Sequence, residues 1–180
     1  MEKRPAQNLL PKTSSPSTDR QIMSPVDTGF NIQVLKLKMT DIVDIALVHK
    51  PKTLYRQFLD NEEMTIDIVK LMLIQLQDFY NCKSKMTDAQ LTESAYLICG
   101  EYRHFNYYDI GMCLKLAKTR EKVYDRVDGG MVLNWLKQFD IDRNNLIMIE
   151  RQNQKAKQDG EWSSLGDRSS VVSLKSFLSD

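Results

Sequence analysis

The side chains with the most legible chemistry in this chain lie between Lys115 and Arg126. Lys115, Lys118, Arg120, Lys122 and Arg126 are set against only Glu121 and Asp125, and Tyr124 stands among them. Tyr107 and Tyr108 open the helix that leads in. Contact with a single nucleic-acid strand needs cations for the phosphates and a ring on which a base can stack. The competing reading is a solvated connection between two helices, with the Tyr124 ring partly buried and its hydroxyl satisfied.

Other chemistry finds little footing. His49 and His104 are far apart, and neither has a His, Cys or carboxylate at ligand spacing, so no metal is expected. Neither a nucleophile elbow nor a phosphate-cradling glycine loop is present, so no cofactor and no small-molecule substrate are expected. Gly129-Gly130 could receive one anion where they open a helix, but with Asp128 beside them a structural turn is the simpler reading. Cys82, Cys99 and Cys113 form no close pair; they read as small buried hydrophobes rather than a disulfide or zinc framework. With no residues to fill catalytic roles, the chain is expected not to be an enzyme.

The elements that must position the basic segment are helical. Of 180 residues only seven are glycine and five proline, and four of the prolines (Pro5, Pro11, Pro16 and Pro25) precede residue 26. Net charge is +1, which argues against a histone-like protein but leaves room for a local basic patch. No apolar run is long enough for a membrane span, and the charged N-terminus lacks the apolar stretch of a secretory signal. A cytoplasmic location, without membrane contact, is therefore expected.

Residues 1–30 read as a disordered N-terminal segment because Thr13–Thr18 has too little apolar surface to offset the entropy of ordering. Residues 31–39 alternate apolar and polar, as either a short strand or a lead-in turn. Thr40 is placed as the N-cap of a helix to about His49, and Pro51 in the first turn of the next, near 52–59. Asp60–Glu63 is a polar hinge. Met64–Tyr80 is apolar on nearly all sides, as expected for a central helix. Thr87 and Gln90 form a capping box, behind which Leu91, Ala95, Ile98, Cys99 and Tyr102 share one face. Asn106 and Asp109 suggest a second cap, leading to Ile110, Cys113, Leu114 and Ala117. Asp128 is placed as the cap of the last helix, which carries Val132, Trp135, Leu136 and Phe139. Trp135, Phe139 and Met148 would serve a partner as readily as a core.

The predicted fold is thus all-α: a single compact bundle of five to six helices over 31–158, with disordered N- and C-terminal tails. The tail 159–180 is flexible in this reading, and Val171, Val172, Leu174, Phe177 and Leu178 are candidates for a docking peptide.

From Leu54 to about Arg143 the chain resembles a family of small helical proteins from phages and mobile elements of Bacteroides-type bacteria. The residues that carry the resemblance are Lys85–Gln90, Tyr108-Asp109-Ile110, Val123–Gly129 (VYDRVDG), Val132–Leu136 and Asp142-Arg143. Relatives tend to have a glycine-containing basic loop before VYDRVDG, where this chain has Thr119-Arg120-Glu121-Lys122. The resemblance implies a helical fold in a phage or mobile-element setting. In layout the chain is similar to phage helicase loader and inhibitor proteins. The expectation is a replication adaptor that contacts a replisome partner such as a replicative helicase, and single-stranded nucleic acid as well. The alternative is a structural, packaged or assembly protein of a virion; a small inhibitor of a host protein is a third reading.

Overall fold

The computed structural model describes residues 29–177, with side chains through Asp159. The described chain is all helical: α1 (Phe30–Lys36), α2 (Met39–Asp44), α3 (Leu54–Asp60), α4 (Glu62–Tyr80), α5 (Asp88–Glu101), α6 (Tyr107–Arg120) and α7 (Gly129–Phe177). A π-helical turn, Ile45–His49, extends α2 and closes with Lys50 N–H donating to the Ile45 carbonyl at 2.9 Å. Lys50 itself takes a left-handed conformation, φ 47°, which ends the helix.

The stretch expected as strand or turn is α1. Phe30, Val34 and Leu37 recur at helical spacing and are buried, while Ile32 and Leu35 point to solvent. The alternation in sequence is therefore the two sides of a helix rather than the two faces of a strand. Phe30, placed with the N-terminal segment, belongs to the core at 1% exposure; residues 1–28 lie outside the described residues. α1 lies against α6 at Gly111, where an added Cβ would sit 3.1 Å from Val34. Glycine thus permits the close approach.

Thr40 does not cap α2. That helix begins one residue earlier, and the Asp41 carboxylate accepts the Lys38 N–H at 2.8 Å. Pro51 precedes the true cap of α3, Thr53, whose hydroxyl accepts from Arg56 N–H. Asn61 alone separates α3 from α4 and caps the latter through Met64 N–H at 2.9 Å.

α4 packs against α3, α5 and α6, with Val69, Leu73 and Leu76 fully buried. It is central but not surrounded, for Met64, Leu71, Ile74 and Phe79 remain exposed. Around it a single core joins Phe30, Ile42, Leu54, Ile98, Phe105, Ile110 and Leu136. Phe105 stacks on Tyr102 and meets Phe139 edge-on, at 5.0 and 5.6 Å between centroids. Its carbonyl accepts Leu54 N–H at 2.6 Å, tying the start of α3 to the α5–α6 turn.

Both expected caps hold. The Thr87–Gln90 box opens α5, and Leu91, Ala95, Ile98, Cys99 and Tyr102 are all buried. Asn106 accepts from Tyr108 and Asp109 N–H, while Asp109 accepts from Asn106 N–H. Asp109 is also wholly buried and accepts from Arg143 Nε at 2.6 Å, which clasps α7 to α6. Burial raises its pKa, opposed by the Arg143 guanidinium and the Asn106 amide.

α7 continues through Phe177, past the point at which the sequence reading places a flexible tail. No proline interrupts it, and Gly160 and Gly166 each cost only about 1 kcal/mol against alanine in a helix. Of its partner candidates, Phe139 is core, Trp135 packs partly against it, and Met148 is exposed.

Candidate nucleic-acid interface

The basic segment comprises the last turns of α6 and the loop to α7. These place its cations in two different environments. Lys115 folds back and donates its amine to the Leu37 carbonyl. Lys118 is half-buried with Nζ 5.2 Å from the Phe79 ring centroid, and burial lowers its pKa. Both amines serve the packing of the helices. Arg120, Lys122 and Arg126 are exposed.

Tyr124 is 86% exposed, contrary to the expected partial burial. The cause is local. Val127, at 1% exposure, and the partly buried Val123 take the inward positions, and the chain bends outward at Tyr124-Asp125 between them. The bend is tethered, because Lys83 N–H donates to the Asp125 carbonyl at 3.2 Å. That bond brings Lys83, also exposed, beside the loop. Lys83 was missed in sequence because 42 positions of chain separate it from Asp125. Arg126 Nε lies 3.8 Å from Asp128 Oδ2, an exposed pair that leaves most of its charge available.

Asp128 caps α7 as expected, Oδ1 accepting from Met131 N–H at 2.9 Å. At Gly129 an added Cβ would come within 2.4 Å of Ser94 Oγ, so the start of α7 sits directly on α5. Beside this contact opens a cleft of about 410 Å³ between the α4–α5 turn, α5 and the start of α7. Its walls include Lys85, Met86, Glu93, Leu97, Arg126 and Leu133. Residues from three separate stretches, Lys85–Gln90, Val123–Gly129 and Val132–Leu136, thereby meet at one place.

Elsewhere the described residues offer little chemistry. No three His, Cys, Asp or Glu among them are grouped to hold a metal ion. His104 Nε2 lies 2.8 Å from Asp140 Oδ1 at the surface. The three cysteines are buried and free; burial pushes Cys99 up to about 11 and Cys113 higher still. The Cys99 and Cys113 thiols stay protonated at neutral pH and make poor nucleophiles. No described helix is long and apolar enough to cross a membrane. The docking candidates Val171, Val172, Leu174 and Phe177 lie on the helical backbone of α7, their side chains outside the described set; Leu178 lies outside the described residues.

No family model, curated protein or solved structure matches the chain. The case for a function therefore rests on the loop, the cleft and the exposed apolar side chains of α4.

Proposed function

We propose that this chain is a non-enzymatic accessory protein of a phage or mobile element, a replication adaptor that binds a replisome partner and touches single-stranded DNA through residues 119–128. The observation that carries the reading is Tyr124, a ring 86% exposed beside Arg120, Lys122 and Arg126. A free aromatic face flanked by cations suits sequence-tolerant stacking along a strand. The phage setting rests on the resemblance of the VYDRVDG and neighbouring strings. Exposed Met64, Leu71 and Phe79 on α4 support a protein partner, for which a replicative helicase is the candidate.

The test is co-purification of the tagged full-length chain with the replicative helicase of its host, alongside titration with labelled single-stranded DNA. A helicase complex together with salt-sensitive DNA binding supports the reading. Failure to recover the helicase, with no DNA binding at low salt, refutes it.

One observation favours a second reading, an assembly protein of the virion. α7 is 49 residues long, about 74 Å at ~1.5 Å per residue. Residues 151–159 are exposed on every side. A helix that outruns its domain suits lateral assembly. Mass spectrometry of purified particles distinguishes the two readings.

A further inference from the structure

α4 leaves part of one face without a partner, and the chain upstream of α1 carries the chemistry to cover it. We propose that the segment Lys3–Lys12 docks in cis on a shallow groove at the N-terminal half of α4. Its Leu9-Leu10 pair rests against Met64 and Leu71, and its cations face Glu63 and Asp67. The contact is independent of the DNA reading of the loop. It bears on the partner reading, because a partner that uses this face has to displace the segment.

The groove has a volume of about 380 Å³ and lies among Glu63, Met64, Asp67, Ile68 and Leu71. Met64 and Leu71, 49% and 46% exposed, fall on one face of the helix about two turns apart. Adjacent exposed apolar side chains of this kind mark a contact surface. Glu63 and Asp67 are exposed beside them, and no ion pair or hydrogen bond engages either carboxylate among the described residues. The single lysine of α4, Lys70, is taken up by Asp88 at 2.7 Å. The groove is therefore apolar with an uncompensated negative rim.

Lys3–Lys12 is its complement. The segment holds Leu9-Leu10 together with Lys3, Arg4 and Lys12, and contains no carboxylate. Reach favours it as well. Asn31 Nδ2 donates to Gln75 Oε1 at 2.9 Å, so α1 starts beside the middle of α4. Leu71 lies one turn from Gln75, about 6 Å along the axis, and Met64 about 16 Å. The chain between Leu10 and Gly29 can span up to ~60 Å, so the groove is well within range. Such a tether turns docking into an intramolecular step, at an effective concentration near the mM range. The apolar residues of 171–177 do not compete, since the continuous helix α7 carries them about 40 Å beyond Arg143. A second copy pairing through the same face would set Glu63 and Asp67 against their own counterparts.

The experiment uses the full-length chain with a photoreactive residue in the groove, Leu71→p-benzoylphenylalanine and, separately, Met64→p-benzoylphenylalanine. Both positions are half-exposed, and circular dichroism verifies the helical content. Irradiation of a dilute solution should give a monomeric product whose cross-link maps by mass spectrometry to residues 3–12. The same probe at Leu97, exposed on α5, should capture that segment far less. Leu9→Asp/Leu10→Asp alters no described core residue and should lower the yield at Leu71 at least ~5-fold, through loss of the apolar contact. Absence of a cross-link to residues 3–12 from both groove positions overturns the proposal. Equal capture at Leu97, or a yield indifferent to Leu9→Asp/Leu10→Asp, overturns it too. A covalent dimer as the main product assigns the groove to a second copy instead.

Discussion

Arg143→Met keeps an apolar stem of similar length while deleting the guanidinium that faces Asp109. Asp109 is wholly buried and Arg143 is nearly so, with their closest atoms 2.6 Å apart. The guanidinium also lies 5.5 Å from the Phe105 ring centroid, at the centre of the core. Without it, Asp109 keeps the Asn106 amide as a donor but loses its counter-ion. Breaking a buried pair from one side costs about 3–5 kcal/mol, because the remaining charge stays desolvated. This cost has a pH signature. Asp109 is already raised by burial, and removing the opposing cation raises it further. A carboxyl raised in the folded state takes up a proton on folding, so its favourable contribution is full below the unfolded value and is lost as pH rises through the folded one. The deficit of the variant should therefore be largest near pH 7.5 and shrink toward about pH 5. Urea denaturation of wild type, Arg143→Met and Asp109→Asn/Arg143→Met at both pH values measures it. The double variant should regain at least ~1 kcal/mol at the higher pH, since no charge is left buried. A single-variant loss below about 1 kcal/mol, or one independent of pH, would refute the clasp as the bond that fixes α7 on α6.

Two further predictions concern the loop and the thiols. Lys118→Glu should lower the melting temperature, since it buries a carboxylate against Phe79, whereas Arg120→Glu should leave stability within about 0.5 kcal/mol and weaken DNA binding. If Lys118→Glu melts like wild type and Arg120→Glu binds like it, the division of the segment into packing and contact cations is wrong. Cys82, Cys99 and Cys113 should resist a thiol reagent at neutral pH in the native protein and all react on unfolding. Rapid native labelling of any of them would contradict their burial.

The parts of the fold legible in sequence were those set by local rules. Thr87–Gln90 declares its helix because cap and box occupy four consecutive residues, and the face behind it repeats with helical period. What could not be read depends on which element arrives from a distance. The alternation of 31–39 becomes a helix because Phe30 and Val34 find Tyr108 and Gly111 to pack on. Asp109 was legible as a cap, yet its partner Arg143 lies on another helix. The candidate site divides in the same way. Lys115 and Lys118 looked equivalent to Arg120 and Lys122 as charges, but α1–α2 and Phe79 draw the first two inward. Tyr124, expected to be partly buried, is instead exposed because Val127 takes the buried position.

The central claim, that the 119–128 loop contacts single-stranded DNA through Tyr124, is tested most directly by fluorescence anisotropy of a labelled oligonucleotide with wild type, Tyr124→Phe and Tyr124→Ala. Three exposed cations give a log–log salt slope near −2, or about 20-fold weaker binding from roughly 50 to 200 mM salt. Loss of one stacked base removes ~1–3 kcal/mol, so Tyr124→Ala should bind about 5- to 150-fold more weakly. Its salt slope should match wild type, because no charge is lost, and Tyr124→Phe should retain the affinity. No binding by the wild type at low salt, or equal binding by Tyr124→Ala, would contradict the claim.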